Sequence, residues 1–397
     1  MEHDDEFEAP TQEDVRTDLR TIFLDAIRTT MEALLVEEVR EMVGVQRGRR
    51  GEARKDYRNG SYQRGLLTSM GRLDLTVPRT RHGGAPVGVL GRYARRTEDV
   101  DSAIVSAYVN GVSTRKLANV TESLMGESVS KATVSRVTKS LEAKVESLKK
   151  APIEGPFPYL YLDATFLDAR WARTVENVSA LVAYGVGADG HRSLLGITIG
   201  AQESEASWSD LLEQLNGRGL SGVRLAIADG HAGLAAAIRK HLPEAELQRC
   251  TVHLERNVLT KTPRKLRGRL AREVSKVFNA PTLADAKKHL TSLKIAFGKI
   301  VPEAIECLDQ GFAAATRFFA FPQAHWVKIR SNNGLERLHG EIKRRIRAVG
   351  AFPDRASALR LITAVALEVT NIWNDRRYLD MSLLETAAIN GKEENAA

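Results

Sequence analysis

Apolar residues fall at mostly three- and four-residue steps from Leu19 through Ile22, Phe23, Ile27, Met31 and Leu34 to Leu35, which predicts an amphipathic helix ending near Gly44. The pattern then breaks into an Arg- and Gly-rich stretch, and LLTSMGRLDLTVPRTR reads as two short strands around a turn at Gly71. Helical spacing returns between residues 98 and 145. Ser113 caps TRKLANVTESL, Gly126 interrupts, and Ser130 caps KATVSRVTKSLEAKV, with Val134, Val137 and Leu141 facing inward. Two capped helices about a glycine turn are the layout of a helix-turn-helix whose second helix reads DNA.

Pro152, Pro156 and Pro158 mark a break before an apolar strand, Tyr159 to Leu162. Two further strand-like runs flank Asp189-Gly190, a hairpin turn signal. A helix (SWSDLLEQLNGRG), a buried strand (VRLAIAD), a second helix (AGLAAAIRKHL) and a last strand (AELQRCTVH) follow. Three consecutive strands, then helix, strand, helix and strand, is the order of an RNase H-like mixed sheet. From Leu254 to about Arg330 the pattern is helical and basic, an all-α insertion, before the chain returns through NGLERLHGEIKRRIRAV. The expected fold class is therefore a multi-domain α/β chain. Its segments are an acidic amphipathic helix (1–46), a basic segment with a small β element (47–97), a helix-turn-helix region (98–150), an RNase H-like core in two parts (151–253 and 331–380) around the insertion (254–330), and a tail (381–397) expected to be frayed at its polar end.

Charge sharpens this picture. The 397 residues carry a net charge of +8, but residues 1–46 hold 13 acidic and 4 basic side chains, and residues 47–96 hold 13 basic and 3 acidic ones. A basic segment of that density favours a polyanionic partner. Two cysteines give no disulfide framework and exclude a four-cysteine zinc site. No apolar run approaches the roughly 20 residues that span a bilayer, and the acidic start lacks the features of a signal peptide, so a soluble intracellular protein is expected.

Three acids stand in distinctive settings: Asp163 after YLYL, Asp229 after LAIA, and Glu336 in the first turn of a basic helix after Asn332-Asn333-Gly334. Strand-end carboxylates are fixed by the sheet yet accessible, and two of them side by side call for a cation. Separations of 66 and 107 residues mean that only the fold can unite them. With a basic chain, such a trio suggests phosphoryl transfer on nucleic acid by paired Mg²⁺ or Mn²⁺ ions. Lys343, Arg344, Arg345 and Arg347 extend the Glu336 helix as a phosphate-binding strip, and Arg72, Arg79, Arg81, Arg115, Lys116, Lys131, Thr133, Ser135, Arg136 and Lys139 are candidate DNA contacts. Cys250 and His253 form half of a zinc motif with no second half, so they read as hydrogen-bonding or packing groups near the site. Trp326 fits either base stacking or a core position. Asp168, Glu203 and Glu205 read as solvated or turn residues, and Ser207 with His231 lacks the third member of a hydrolase triad.

The blocks LDATFLDAR, ADGHAGLAAAI, QRCTVHLERNVL, AFPQAHWVKIRSNNGLERLHGEIKRRIRAVGAFPD, NGVSTRKL and SKATVSRV together resemble the Mutator-type transposases of bacterial insertion sequences, from about Arg58 to about Tyr378. That resemblance implies a DDE transposase with Asp163, Asp229 and Glu336 as the catalytic, metal-binding triad. It also implies Cys250 and His253 as the C-x₂-H element and Trp326 as the tryptophan of the insertion. Where the family motif often carries Asn, this chain has His339. The implied partners are double-stranded DNA (terminal inverted repeats and target) and a second copy of the chain on DNA, and the implied location is the cytoplasm, on the nucleoid. Two alternatives stay open in the sequence: a catalytically silent DNA-binding regulator, and an RNase H-like nuclease without strand transfer.

Overall fold

The computed structural model describes residues 12–48, 52–86, 88–91, 94–171, 174–373 and 375–384; the acidic start and the polar end of the tail lie outside them. Two compact units divide the chain, 1–138 and 139–397.

In the first unit, α1 (Gln12–Val43) packs on an antiparallel hairpin of β1 (Arg58–Thr68) and β2 (Gly71–Thr80). Strand β2 alternates strictly: Leu73, Leu75 and Val77 point into a core with Leu35, Leu66 and Leu90, and Arg72, Asp74 and Thr76 point out. The apolar positions of α1 split between two faces. Ile27, Met31 and Leu35 meet the hairpin, whereas Leu19, Ile22, Phe23 and Leu34 are exposed, so the single stripe expected from spacing is too wide for one small sheet to cover. Three helices follow, α2 (Glu98–Val109), α3 (Thr114–Met125) and α4 (Lys131–Val137). The hydroxyl of Ser113 caps α3 at Lys116 N and that of Ser130 caps α4 at Thr133 N, with Gly126 between them in the left-handed conformation that ends α3. The long second helix expected from sequence is broken: α4 gives way to a 3₁₀ turn at Thr138–Leu141.

In the second unit α5 (Glu142–Lys150) precedes a five-stranded mixed sheet. Strands β3 (Tyr159–Trp171), β4 (Thr174–Val186) and β5 (Arg192–Gly200) form an antiparallel meander; α6 (Glu205–Gly217), β6 (Leu225–Ala228), α7 (Ala232–His241) and β7 (Glu246–Arg249) complete the order β5-β4-β3-β6-β7, with β6 and β7 parallel to β3. Period-two alternation divides the sheet. Leu160, Leu162, Leu181, Ala183, Ala226 and Ala228 face α6 and α7, where Trp208, Leu211, Leu215 and Ile238 fill the core. On the opposite face Tyr161 stacks on Tyr184 at 4.4 Å, and Trp373 meets Tyr184 edge-on.

Between β7 and α13 lies a helical segment of α8 (Thr251–Thr260), α9 (Arg264–Phe278), α10 (Leu283–Phe297), α11 (Pro302–Ala315) and the short α12 (Trp326–Ile329), around its own core of Leu270, Val274, Leu293, Leu308 and Phe312. Its two ends are hydrogen-bonded to each other, Thr251 N donating to Arg330 O at 3.0 Å. It is tied to the sheet by His325, whose ring nitrogens meet Tyr159 Oη at 2.8 Å and Asp380 O at 2.9 Å. The chain then enters α13 (Asn333–Ile346) and α14 (Arg355–Asn371). Among the described residues no helix is long and apolar enough to cross a membrane.

Gly334 lets α13 approach the sheet: a Cβ there would lie 2.5 Å from the buried Tyr184 hydroxyl. Gly334→Ala is expected to lower the unfolding free energy by about 1–3 kcal/mol in urea titrations, the usual cost of overpacking. Adding Tyr184→Phe removes the struck oxygen, which has no hydrogen-bond partner among the described residues, and should recover most of that loss. A Gly334→Ala chain as stable as the parent would mean that the approach is not close.

Candidate active site

Strand β3 is longer than its apolar run suggests, and Asp163 lies within it, not at its end. The position is nonetheless special. Tyr161 pairs with Ile227 at the last register point of β3 with β6, so Asp163 is the first residue on its face after β3 runs past its parallel neighbour. Asp229 is likewise two residues beyond Ile227, so the register carries both carboxylates to the same face at the same level. Cys250 follows two residues after Gln248, the β7 partner of Ile227, and completes a row of three across adjacent strands. Asp163 is buried; its Oδ1 accepts from Ala164 N at 3.1 Å, and Asp229 Oδ1 accepts from His231 N at 2.9 Å.

Two helices supply the rest. On α8, which starts directly after Cys250, His253 occupies the first turn and Arg256 the next. On α13, Glu336 lies one turn before His339. Glu336 Oε1 is 3.1 Å from Arg256 Nη2 and 4.0 Å from His253 Nε2, while His339 Nδ1 is 3.4 Å from Asp163 Oδ2. The register of α13 is set by Asn332, which is fully buried. It is the N-cap residue of α13 but makes no side-chain cap: its amide crosses to β3, Nδ2 donating to Leu162 O at 3.1 Å, while its backbone N–H donates to Cys250 Sγ at 3.3 Å.

The electrostatics are those of crowded acids beside fixed cations. Glu203, expected to be solvated, has a side chain only 12% exposed. Burial, and then the charges of Asp229 and Asp163, push its carboxyl above its ordinary pKa. His253 is raised to about 9, first by the neighbouring Cys250 and further by the charges of Asp163 and Asp229, against an opposing effect of burial. Among the described residues no three carboxylate, imidazole or thiol groups meet closely enough, as they stand, to enclose an ion. Glu336 is drawn to Arg256, and His339 stands against Asp163. The donor set is still suitable for a hard divalent cation: the carboxylates offer oxygen ligands, and their mutual repulsion is what such an ion relieves. Arg256 and Glu203 are not singled out by the sequence; a faint signal for Arg256 is its place one turn after His253.

The expected DNA contacts are distributed over both units. In the first, Arg79 lies over the Tyr62 ring and Arg81 over that of Tyr57, and Arg72 pairs with Asp74 and Glu127. Arg64, Arg72, Arg79 and Arg95 line an open groove of about 1020 Å³. Arg115 and Lys116 on α3, and Lys131, Ser135 and Arg136 on α4, are exposed, whereas the Thr133 hydroxyl is engaged with the Ser130 cap. Lys139, exposed in the 3₁₀ turn, belongs to the second unit. There Lys343, Arg344 and Arg347 are exposed on α13, with Arg344 bonded to Glu341 at 2.8 Å. Arg345 does not belong to that strip. It is buried and paired with Glu368 at 3.0 Å, because the strip is narrower than a run of consecutive basic residues on a helix. Trp326 is partly buried, its Nε1 donating to Phe321 O at 2.7 Å and its ring edge-on to Phe318 and Phe319.

Residues 2–376 match the family profile described as transposase, Mutator family. The chain is 37% identical over 358 residues to the transposase for insertion sequence element ISRM5 of Rhizobium meliloti (strain 1021), covering 90% of each protein. It is 36% identical over 361 residues to the transposase for IS256 in transposon Tn4001 of Staphylococcus aureus, covering 89% of this chain and 92% of that one. With the transposase for IS1081 of Mycobacterium tuberculosis (strain ATCC 25618 / H37Rv) the figure is 35% over 375 residues, 93% and 90% of the two chains. The class these matches define is that of the DNA transposases, which are enzymes. Within it, the chain belongs to the Mutator family.

The raised pKa of His253 has a signed consequence. Between its ordinary value of 6.5 and about 9 the ring is charged in the folded chain and neutral in the unfolded one. Its stabilising contribution is therefore complete below about pH 6.5 and is lost as the pH rises through about 9. His253→Gln should cost the metal-free protein more stability near pH 6 than near pH 10, as read from urea denaturation at both values. An unchanged difference would show that the imidazole does not gain charge on folding.

Proposed function

We propose that the protein is a DDE transposase that binds the terminal inverted repeats of an insertion sequence, cuts DNA there, and joins the freed 3′ ends to a second duplex. The observation that carries this reading is the shared register of Asp163 and Asp229 on one sheet face, with Glu336 on the helix whose His339 meets Asp163. The mixed sheet, with three antiparallel strands followed by two parallel ones and interrupted by helices before α13, supports an RNase H-like core with an all-α insertion.

Asp163, Asp229 and Glu336 would hold two Mg²⁺ or Mn²⁺ ions, which when bound activate the attacking oxygen and neutralise charge on the departing 3′ oxygen. In the first reaction water attacks a phosphodiester, the P–O3′ bond breaks, and a 3′-OH is left. In the second that 3′-OH attacks a phosphorus of another duplex, forming a new P–O bond and displacing that strand's 3′ oxygen. Glu336 turns from Arg256 to join the two aspartates. Arg256 and His253 are then free to face the phosphate, and Asn332 keeps α13 in place while this happens.

DNA is held by the capped pair α3 and α4, which we read as a helix-turn-helix, and by the basic hairpin groove; Lys343, Arg344 and Arg347 track phosphate near the reaction centre. Two ends are paired by two copies of the chain on DNA.

Asp163→Asn should abolish both cleavage and joining of oligonucleotides bearing the element's ends while binding them with near-parental affinity. Cleavage without joining by the parent chain would mark a nuclease instead, and retained joining in the variant would remove Asp163 from the centre. Replacing Lys131 or Arg136 with Ala should weaken binding to the ends, and loss of one phosphate contact should flatten the slope of log affinity against log salt by about 1. A slope and affinity equal to the parent's would take α4 off the DNA.

A further inference from the structure

The second unit holds a fourth acid that the triad does not use. Glu203 ends the loop after β5, and everything around it restricts where its carboxylate can go. The Ser204 hydroxyl caps α6 at Ser207 N, and Ser207 Oγ donates back to Gln202 O at 3.0 Å, so the loop is closed on both sides of Glu203. Trp208, fully buried in the sheet core, donates its Nε1–H to Glu203 Oε1 at 3.1 Å. The carboxylate is thus aimed away from bulk water by a donor that cannot move without disturbing the core.

The loop is also pressed toward Asp229. Gly233, in the first turn of α7, packs directly against the loop backbone: a Cβ there would lie 2.6 Å from Glu205 N and 3.1 Å from the carbonyl carbon of Ser204. The absent side chain lets the loop reach His231, whose Nδ1 is 3.8 Å from Glu203 Oε1 and whose backbone N–H holds Asp229 Oδ1 at 2.9 Å. One residue thereby spans the gap between the two acids. A solvated turn acid needs no indole donor and no glycine contact to hold it beside two other carboxylates.

We infer that Glu203 is a fourth carboxylate of the cation site, held by Trp208 and Gly233 so that it faces the divalent ion together with Asp163 and Asp229. The inference rests on the reading of those two aspartates as cation ligands. Like-charge crowding agrees with it, since Asp229 and Asp163 both disfavour ionisation of Glu203 in the metal-free chain.

The test is binding of Mn²⁺ alone to the full-length protein without DNA, followed by electron paramagnetic resonance, in the parent chain, Glu203→Gln and Asp163→Asn. Glu203→Gln keeps an oxygen to accept the Trp208 N–H, so its metal-free melting temperature should match the parent's or exceed it. Its Mn²⁺ affinity should fall at least about 10- to 100-fold, the cost of losing a group that merely supports a metal ligand. Glu203→Asp, which retains the charge but withdraws it by one methylene, should give an intermediate loss and serves where the Gln chain does not fold. Parental affinity in the Glu203 variants with a loss in Asp163→Asn would overturn the inference and leave the two-aspartate reading standing. A loss in Glu203→Gln with parental affinity in Asp163→Asn would overturn that parent reading while keeping Glu203 as a cation ligand.

Discussion

The hydrogen bond from Asn332 Nδ2 to Leu162 O is the constraint on which the site depends. Strand β3 outruns β6, and where its ladder ends the next carbonyl on that edge would be left without a partner in a buried setting, at a cost of about 1–3 kcal/mol. Asn332 fills that vacancy and simultaneously docks its own N–H on Cys250 at the end of β7. A single side chain therefore satisfies the sheet and fixes the start of α13, from which Glu336 and His339 take their positions. Farther along, Phe352 resumes pairing with β3, accepting from Arg170 N and donating to Asp168 O, both at 2.9 Å. Asp163 thus lies in the interval between two clamps on the strand's free edge.

Within that interval the balance of charge is deliberate in physical terms. Carboxylates on neighbouring strands repel, and burial of Glu203 adds to the cost. His253 and Arg256 counter it from α8, the former charged at neutral pH because Cys250 and the aspartates raise it to about 9. Protein cations on a rigid helix can stabilise acids in the absence of a metal without filling the space among them. The pairing of Glu336 with Arg256 is partly exposed, so it is worth little in itself and can be exchanged for a stronger partner. A buried pair such as a fully desolvated Arg–Glu bridge would not permit that exchange so readily.

Much of this was legible in the chain. Apolar runs followed by Asp marked β3 and β6, and their common offset from Ile227 could be anticipated from strand periodicity once the strands were paired. The length of β3 was not, because residues 164–171 mix polar and apolar types and extend only through pairing with β4. Arg345 looked equivalent to Arg344 in a basic run; only the 100° turn per residue, and the presence of Glu368 on α14, separates them. Asn332 does stand at the N-cap, where Asn is favoured, but a tertiary acceptor at Leu162 takes its side chain, a contact that spacing alone does not show. Glu203 was hidden for a related reason. Its neighbours Gln202, Ser204 and Glu205 read as a polar turn, and what holds it is Trp208 five residues later, with Gly233 of another helix packed on the loop that carries it.

The separation between Asp229 and Glu336 is explained by how the helical segment α8–α12 is closed. Thr251 N and Arg330 O are bonded at its base, and Asn332 N meets Cys250 Sγ immediately beyond, so entry and exit are neighbours whatever lies between them. Loop-closure entropy grows only slowly with length, and here the intervening helices supply their own core of Leu270, Val274, Leu293 and Leu308, which offsets the cost of ordering them. The His325 contacts with Tyr159 and Asp380 add a second attachment of the element away from its narrow base. It follows that the placing of Asp229 relative to Glu336 depends on a few bonds at the root of this helical segment. The outer helices are free to diverge in surface and charge without disturbing the register of β3, β6 and α13.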